Sequence, residues 1–137
     1  MALTHLADTS VLTRVRHADI YGRLANLLEA AALARADISD LELGFTARNA
    51  REWNKIQHDL RPFSVLETSP AHVHRALRVQ RALAENGLRG RKVPDLLVAA
   101  AAEEGGLVLL HYDTDFDLIA KVTHQPCEWI VPRGSID

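Results

Sequence analysis

Three aspartates lie close together in the segment LLHYDTDFDLIA, residues 109–120. Asp113, Asp115 and Asp117 stand at alternate positions, directly after an apolar run. Carboxylates at this spacing repel one another unless they are protonated or bound to a cation. The segment therefore predicts a site where a bound cation neutralises negative charge. Asp113 is expected to be its main acid, Asp115 a helper and Asp117 a surface residue.

Further acids occupy comparable positions elsewhere in the chain. Asp8 directly follows a short apolar segment, Glu42 lies near the start of a predicted helix, and Asp95 lies in the first turn of another. In a parallel α/β sheet the strand ends and the following helix starts share one edge, where ligands bind. We therefore expect four carboxylates to converge at that edge: Asp8, Glu42, Asp95 and Asp113.

A set of carboxylates at one edge suits a hard divalent cation. Mg²⁺ and Mn²⁺ prefer oxygen ligands and usually keep several bound waters. Zinc is not indicated, because the chain has no dense Cys/His cluster, and His72 and His74 stand two residues apart on a predicted helix. A divalent ion lowers the pKa of a bound water and stabilises the leaving oxygen of a phosphodiester. The acids therefore predict metal-assisted phosphodiester chemistry that needs no nucleophilic side chain.

The elements that must position these acids alternate between strands and helices. Short apolar runs predict strands at 3–7, 34–38, 63–67, 107–111 and 127–131. Periodic patterns predict helices at 11–33, 40–60, 70–87, 94–104 and 115–122, with Ser39 or Asp40 as the cap of the second. This alternation is typical of the α/β class. We expect a single domain over 1–137, with a central, mostly parallel sheet of about five strands flanked by helices.

Composition and missing motifs exclude several classes of protein. The chain contains neither the G-x-x-x-x-G-K-[ST] loop of nucleotide hydrolases nor the G-x-S-x-G turn of serine hydrolases. Its single cysteine, Cys127, excludes an internal disulfide, and its apolar neighbours indicate a small core residue. No apolar stretch is long enough for a signal peptide or a membrane span, so we expect a cytoplasmic protein without membrane contact.

Four segments resemble, in order and spacing, the acidic motifs of PIN-domain ribonucleases, and most closely those of the VapC toxins of bacterial toxin–antitoxin pairs. They are LADTSVL (6–12), DLELGFTAR (40–48), VPDLLVAAAA (93–102) and LHYDTDFDLIA (110–120). The resemblance implies a PIN-like domain that cleaves RNA endonucleolytically with Mg²⁺ or Mn²⁺. It also implies inhibition by a cognate VapB-type antitoxin, and a homodimer.

The resemblance also implies roles for individual residues. The residues that match the family's catalytic acids are Asp8, Glu42, Asp95 and Asp113. Those expected to hold the metal are Asp8, Asp95, Asp113 and the additional acid Asp115. Thr9 and Ser10 match the hydroxyl position that supports the first acid by hydrogen bonding. Gly44 follows Glu42 more closely than the corresponding glycine does in many relatives. This difference bears on the geometry of the local helix and not on the role of the Glu42 carboxylate.

Basic residues flank the acidic motifs and supply a counter-charge for RNA. The net charge is only −2, so composition by itself does not indicate a nucleic-acid-binding protein. Arginine and lysine nevertheless bind phosphate well. We expect RNA contacts from Arg14, Arg89, Arg91 and Lys92. Because aromatic residues make up 5% of the chain, extensive base stacking is not indicated, and a structured RNA fits better.

Two alternatives remain beside the ribonuclease. One is a catalytically silent PIN-like module that holds RNA or a partner, although no acid of the set is missing. The other is a phosphoacceptor receiver, which needs an aspartate after its third strand and a lysine after its fifth; the third strand here ends in LETSP, 66–70. For the ribonuclease we expect an antitoxin segment over the acidic edge, with an arginine on the carboxylates, and contacts from helices 11–33 and 40–60. His111 is expected at the edge beside the acids.

Overall fold

The computed structural model describes residues 2–88 and 91–137, and its centre is a five-stranded sheet. The strands are β1 (His5–Ala7), β2 (Leu33–Ala36), β3 (Ser64–Leu66), β4 (Val108–His111) and β5 (Cys127–Trp129). They lie in the order β3-β2-β1-β4-β5, and all four pairings are parallel. The predicted α/β fold with about five strands is confirmed, and the sheet is entirely parallel.

Seven helices connect and cover the strands in the described part of the chain. They are α1 (Thr9–Leu12), α2 (Ala18–Glu29), α3 (Asp37–Gly44), α4 (Ala50–Asp59), α5 (Pro70–Glu85), α6 (Val93–Glu104) and α7 (Asp115–Thr123). None of the helices in these ranges is long and apolar enough to cross a membrane.

Successive residues of the central strands pack into two different cores, one on each face of the sheet. Leu6 of β1 and Leu109 of β4 pack with apolar residues of α5, α6 and α7. The next residues, Ala7 and Leu110, pack with Leu24 of α2 on the opposite face. Burial on both faces explains why β4 is a continuous apolar run. It also holds the carboxyl ends of β1 and β4, where Asp8 and Asp113 follow, on a rigid support.

The single long helix predicted over 11–33 is wrong, because two helices and a turn occupy this part of the chain. Helix α1 ends at Leu12, and the side chain of His17 caps a new helix by accepting the backbone N–H of Asp19. Helix α2 stops before Ala31, whose φ of 52° no helical residue adopts. Of the apolar period that suggested one helix, Leu24, Leu27 and Leu28 lie in α2, and Ala31 lies beyond its end.

The helix predicted over 40–60 is likewise divided, and its predicted cap is wrong. Helix α3 begins at Asp37 after Ala36, which makes no side-chain capping bond, so neither Ser39 nor Asp40 is the cap. Both residues lie inside the helix, where tertiary partners hold them. The chain leaves the helix after Gly44, and the Asn49 side chain caps α4 by accepting the backbone N–H of Glu52.

Candidate active site

Asp8 connects the end of β1 to the first turn of α1. Its backbone N–H donates to the carbonyl of Leu110 in β4 (2.9 Å), which extends the pairing of the two strands by one residue. Its carboxylate caps α1, because Oδ2 accepts both the backbone N–H (2.9 Å) and the hydroxyl (2.6 Å) of Ser10. The side chain is buried, and burial raises the pKa of Asp8 above its ordinary value despite these hydrogen bonds.

The side chain of Glu42 is oriented by Thr9, a residue of the first acidic motif. The hydroxyl of Thr9 donates to Glu42 Oε1 at 2.7 Å, and the same Oγ1 lies 2.7 Å from the hydroxyl of the fully buried Ser39. Glu42 and Ser39 are three residues apart in α3 and so lie on the same side of the helix. Thr9 therefore contacts Glu42, and Ser10 contacts Asp8. Ser10 thus makes the bond to the first acid that was predicted for Thr9 or Ser10, whereas Thr9 bonds to the second acid, Glu42.

The third and fourth motifs form the tightest cluster of acids. One carboxylate oxygen from each of Asp95, Asp113 and Asp115 lies within 4.8 Å of the other two. Asp95 stands in the first turn of α6, and Asp113 follows β4. Asp115 begins α7, and its backbone N–H donates to Asp113 Oδ1 at 2.9 Å. Residues 18 positions apart along the chain are thus brought to one point of the sheet edge.

Within the cluster, the pKa values of Asp95 and Asp113 are shifted in opposite directions. Burial, helped by the negative charge of Asp8, raises the pKa of Asp95 to about 8. Burial also opposes ionisation of Asp113, but the hydrogen bonds from Asp115 N–H and from Lys92 outweigh it and lower the pKa of Asp113. Asp95 Oδ2 is buried without a hydrogen-bond partner among the described residues. A buried carboxylate oxygen in this state lacks the cation or proton that would satisfy it.

A cavity of about 260 Å³ joins the acids of the first two motifs to those of the last two. Its walls include four carboxylates, Asp8, Glu42, Asp95 and Asp113, together with Thr9, Ser10, Thr13, Arg14, Lys92 and Tyr112. The four acids that were expected to converge therefore line one space. Asp8 and Glu42 stand on its wall outside the tight three-acid group.

The basic residues expected to contact RNA lie in different surroundings. Lys92 places Nζ 2.9 Å from Asp113 Oδ2 and 3.9 Å from Asp95 Oδ2. Arg91 donates from Nη1 to Asp115 Oδ1 at 2.8 Å. Both are thus bound to the acids, and the bond to Asp113 raises the pKa of Lys92. Arg89 lies outside the described residues.

Arg14 lies on another wall of the same cavity. Its Nη1 donates to the carbonyl of Ser10 (2.7 Å), and its Nη2 pairs with Asp137 Oδ2 at 3.0 Å. The guanidinium also stands 5.0 Å from the centre of the Tyr112 ring. Contacts with Ser10, Tyr112 and Asp137 therefore hold this cation on the wall of the cavity that Asp8 also lines.

His111 is not an edge residue, as was expected, but a core residue. Its ring is fully buried between those of Phe116 and Trp129, with centroid distances of 5.1 and 4.9 Å. Nδ1 accepts the backbone N–H of Asp113 at 3.2 Å, and burial lowers the pKa of the imidazole. His111 ends a continuous apolar run, and this run indicated burial. The polar side chain of histidine suggested the opposite.

Two other residues near the cluster are explained by packing. Asp117, expected on the surface, is half-buried and accepts the indole N–H of Trp129 at 3.1 Å. Cys127 is partly buried in β5, and burial raises the pKa of its thiol to about 12. A thiol with such a pKa is a poor nucleophile, in agreement with the core role expected for Cys127.

The donor set fits a hard divalent cation. All three members of the cluster offer carboxylate oxygens, the ligands that Mg²⁺ and Mn²⁺ prefer, and Asp95 brings a buried oxygen that no described residue satisfies. Of the residues in 2–88 and 91–137, these are the ones whose ligand atoms approach closely enough to share an ion. The cluster therefore can bind a metal.

Comparison with known proteins gives one consistent assignment. The family model of the PIN domain matches residues 6–122. Ribonuclease VapC51 of Mycobacterium tuberculosis is 54% identical over 137 residues, covering 100% of both chains. Ribonuclease VapC21 of the same species is 38% identical, over 98% of this chain and 99% of the relative.

Solved structures show the same fold at low sequence identity. The DNA-bound VapBC structure from Salmonella typhimurium contains a chain with a TM-score of 0.78 and 17% identity, covering 94% of this chain and 99% of that one. VapBC-5 from Mycobacterium tuberculosis gives a TM-score of 0.60 at 22% identity, covering 94% and 98%. With the family match and the extent of the similarity to the ribonucleases, the chain belongs to the PIN-domain family, among the VapC ribonucleases.

Proposed function

We propose that this chain is the ribonuclease toxin of a toxin–antitoxin pair and that it cleaves a phosphodiester bond of RNA with the help of Mg²⁺ or Mn²⁺. One observation carries the proposal. The buried Asp95 has an unsatisfied carboxylate oxygen within a cluster whose other members, Asp113 and Asp115, come from a different motif. A buried oxygen without a partner is unfavourable for folding, and a bound cation would satisfy it.

Each acid has a separate task in this proposal. Asp95, Asp113 and Asp115 would hold the cation, and Asp8, which lines the same cavity, would be a further ligand. When bound, the ion supplies a water of lowered pKa and stabilises the charge that develops on the phosphate. Glu42, oriented by Thr9, accepts the proton of the attacking water. The bonds from Ser10 keep Asp8 in one orientation, so that no rotamer freedom is lost when substrate binds.

The RNA backbone is proposed to reach the acids past Arg14, Arg91 and Lys92, which lie beside or on them. Arg89 is added on the sequence alone, as its neighbour in the same basic segment. The substrate is proposed to be a structured RNA. The cavity is lined by one aromatic side chain, that of Tyr112, and so offers little surface for stacking successive bases.

A VapB-type antitoxin and a second copy of this chain are the proposed partners. Several neighbours with the same fold are known as VapBC complexes. In this chain an apolar groove of about 140 Å³ separates α1 from α4 and is lined by Leu12, Val15, Leu43, Ile56, Leu60 and Phe63, with Thr13, Arg16 and Asp59. These elements correspond to the segments expected to contact the antitoxin, and Thr13 also lines the acidic cavity, so one peptide can cover both. We also propose that 1–137 is one PIN domain and that it acts in the cytoplasm.

Cleavage of total RNA tests the proposal. Purified protein should give discrete fragments in Mg²⁺ or Mn²⁺ and none in EDTA. Asp95→Asn should abolish cleavage, because the cation loses its buried ligand. Asp19→Asn, an exposed first-turn acid of α2, is the matched control and should cut like the unchanged protein. If cleavage persists in Asp95→Asn, the acids are not the active site and a contaminating ribonuclease must be sought.

The silent binding module remains the alternative, and the same experiment separates it from the enzyme. It predicts RNA binding without fragments in every metal tested. The presence of all five acids favours the enzyme, since a module that only binds RNA has no need for five carboxylates beside a phosphate-binding surface.

A further inference from the structure

Two carboxylates of the proposed metal site are paired with cations of the chain itself. Arg91 bonds to Asp115 at 2.8 Å, and Lys92 bonds to Asp113 at 2.9 Å. The two pairs differ in exposure. The side chain of Arg91 is 24% exposed, whereas that of Lys92 is 61% exposed. The first is a packed contact of the fold, and the second is a contact of a side chain that stands mostly in solvent.

The difference in exposure agrees with the chemistry of the two side chains. A guanidinium is planar and holds its partner in a fixed geometry, while an ammonium is a compact charge on a flexible stem of four carbons. Lys92 can therefore leave Asp113 by rotating its own stem, without moving the backbone. Arg91 can leave Asp115 only by giving up its packing.

The position of Lys92 in the fold is otherwise unfavourable. It is the N-cap residue of α6 and makes no side-chain capping bond. A positive charge at a helix N-terminus opposes the helix dipole. The stability of α6 therefore gives no reason for a lysine here. The nearby oxygens of Asp113 and Asp95, at 2.9 and 3.9 Å, do give one.

We propose that Lys92 is a tethered substitute for the divalent cation. In the metal-free protein its ammonium neutralises Asp113 and Asp95. When the metal binds, Lys92 leaves these oxygens and contacts the RNA phosphate that lies against the metal. This inference rests on the proposed function and adds that the metal and one side chain of the enzyme compete for the same carboxylate oxygen.

The competition follows from charge and geometry. An ammonium at 2.9 Å from Asp113 Oδ2 occupies the space a coordinated ion needs, and its positive charge repels that ion. Once displaced, the ammonium remains tethered on the wall of the 260 Å³ cavity, beside the carboxylates. The phosphate is the anion that enters there, and its oxygens bind lysine well. Lys92 is thus predicted to weaken metal binding and to strengthen substrate binding.

These opposite effects define the test. Lys92→Gln should bind Mn²⁺ about threefold to tenfold more tightly than the unchanged protein, because the competing charge is gone. The same variant should cleave RNA about tenfold or more slowly at saturating Mn²⁺, because a donor to the phosphate is lost. A lysine with a merely structural role would, on removal, weaken metal binding and cleavage together.

Mn²⁺ binding is measured by the electron paramagnetic resonance signal of the unbound ion, in 0.1 M and 0.5 M KCl, and cleavage is measured under single-turnover conditions. Direct displacement persists at the higher salt, whereas a general effect of net charge is screened. Lys55→Gln is the matched control, since Lys55 is 60% exposed and pairs with Asp59 on α4. Lys55→Gln should leave both readings unchanged, and Lys92→Arg should retain most of the Mn²⁺ competition.

The proposal is overturned if Lys92→Gln binds Mn²⁺ no more tightly than the unchanged protein, if its gain vanishes in 0.5 M KCl, or if its cleavage is undiminished. Asp95→Asn distinguishes a failure of the role proposed for Lys92 from a failure of the proposed metal site. If Asp95→Asn loses Mn²⁺ while Lys92→Gln is unchanged, only the role of Lys92 fails. If Asp95→Asn binds Mn²⁺ normally, the proposed metal site fails as well.

Discussion

Tyr112 donates its backbone N–H to the hydroxyl oxygen of Ser10 at 2.9 Å, and that hydroxyl donates in turn to Asp8 Oδ2 at 2.6 Å. The chain segments that follow β1 and β4 are thus joined by one side chain. Because Asp113 comes directly after Tyr112, the same bond fixes the relative position of the first and the fourth acidic motif. The Ser10 hydroxyl therefore hydrogen-bonds to both segments.

Replacement of Ser10 tests this connection. Ser10→Ala leaves the Tyr112 N–H without its partner and removes one of two bonds to Asp8. We expect a loss of about 1 to 2 kcal/mol in the free energy of unfolding, the usual cost of an unsatisfied polar group. RNA cleavage should fall by more than the folded fraction explains. Chemical denaturation and single-turnover cleavage measure the two effects.

A hydroxyl outside the site provides the control for Ser10. Thr46→Ala removes an exposed hydroxyl that donates only to the carbonyl of Leu43 at the end of α3. It should change neither stability nor cleavage appreciably. Equal behaviour of the two variants would show that the bond between Ser10 and Tyr112 does not hold the site together.

Asp95→Asn should stabilise the metal-free protein. The pKa of Asp95 is about 8 in the folded chain and 3.8 without its surroundings. The folded state therefore holds the proton more strongly, and stability is lost as the pH rises from about 3.8 to about 8. Asparagine carries no charge and removes this loss. We expect a gain of about 1 to 3 kcal/mol at pH 8 in EDTA, and little gain near pH 4.

Thermal unfolding across this pH range measures the gain, and Mn²⁺ supplies the second arm. The ion should raise the Tm of the unchanged protein, because a ligand that binds only the folded state stabilises it, and it should not raise that of Asp95→Asn. Asp19→Asn, at an exposed position, should follow the unchanged protein in every condition. A gain that is equal at pH 4 and pH 8 would contradict the assigned pKa.

His111→Phe should separate metal binding from stability. Phenylalanine keeps the ring contacts with Phe116 and Trp129 and removes the buried Nε2, which has no partner in the described chain. It also removes the acceptor of the Asp113 N–H. We expect the free energy of unfolding to change by less than about 1 kcal/mol, since the two polar effects oppose each other. Mn²⁺ affinity should fall, because the backbone of Asp113 is no longer held.

Another buried histidine serves as the control for His111. His72 accepts the Ser69 N–H and contacts Glu104 at the opposite end of α6 from Asp95. His72→Phe should lose stability, because it breaks the capping box of α5, and should bind Mn²⁺ normally. If His111→Phe also binds Mn²⁺ normally, the ring does not position Asp113.

The convergence of the acids could be predicted from the sequence because it depends on topology. Asp8 and Asp113 follow the ends of two strands, and in a parallel sheet such ends meet whichever rotamers the side chains adopt. The positions of the five strands along the chain were likewise predictable, since apolar runs record burial, but each strand is one or two residues shorter than predicted. Glu42 also lines the cavity, but it is the sixth residue of α3 and not a first-turn residue, because this helix begins at Asp37.

What the sequence did not predict depends on side chains whose roles are set by tertiary contacts. Thr13–His17 break the helix that was predicted over 11–33, and Ser39 is buried inside a helix it was expected to cap. Lys92 and Arg91 were expected to contact RNA, but in the structure they bind Asp113 and Asp115. A pattern records which residues are charged and not which opposite charge they meet.

The pair of Arg14 and Asp137 leads to the last prediction. Asp137 accepts two hydrogen bonds from Nε and one from Nη2 of Arg14, at 3.0 to 3.3 Å, beside the acidic cavity. If Arg14 contacts RNA as proposed, RNA phosphate and Asp137 compete for one guanidinium. In an Asp95→Asn background, which is expected to bind RNA without cutting it, Asp137→Asn should tighten RNA binding about twofold to fivefold in low salt and less in high salt. Arg14→Gln should weaken binding, and combining it with Asp137→Asn should abolish the gain.

Filter binding at two salt concentrations measures these affinities. A gain that survives in the double variant would mean that Asp137 repels RNA directly and does not act through Arg14.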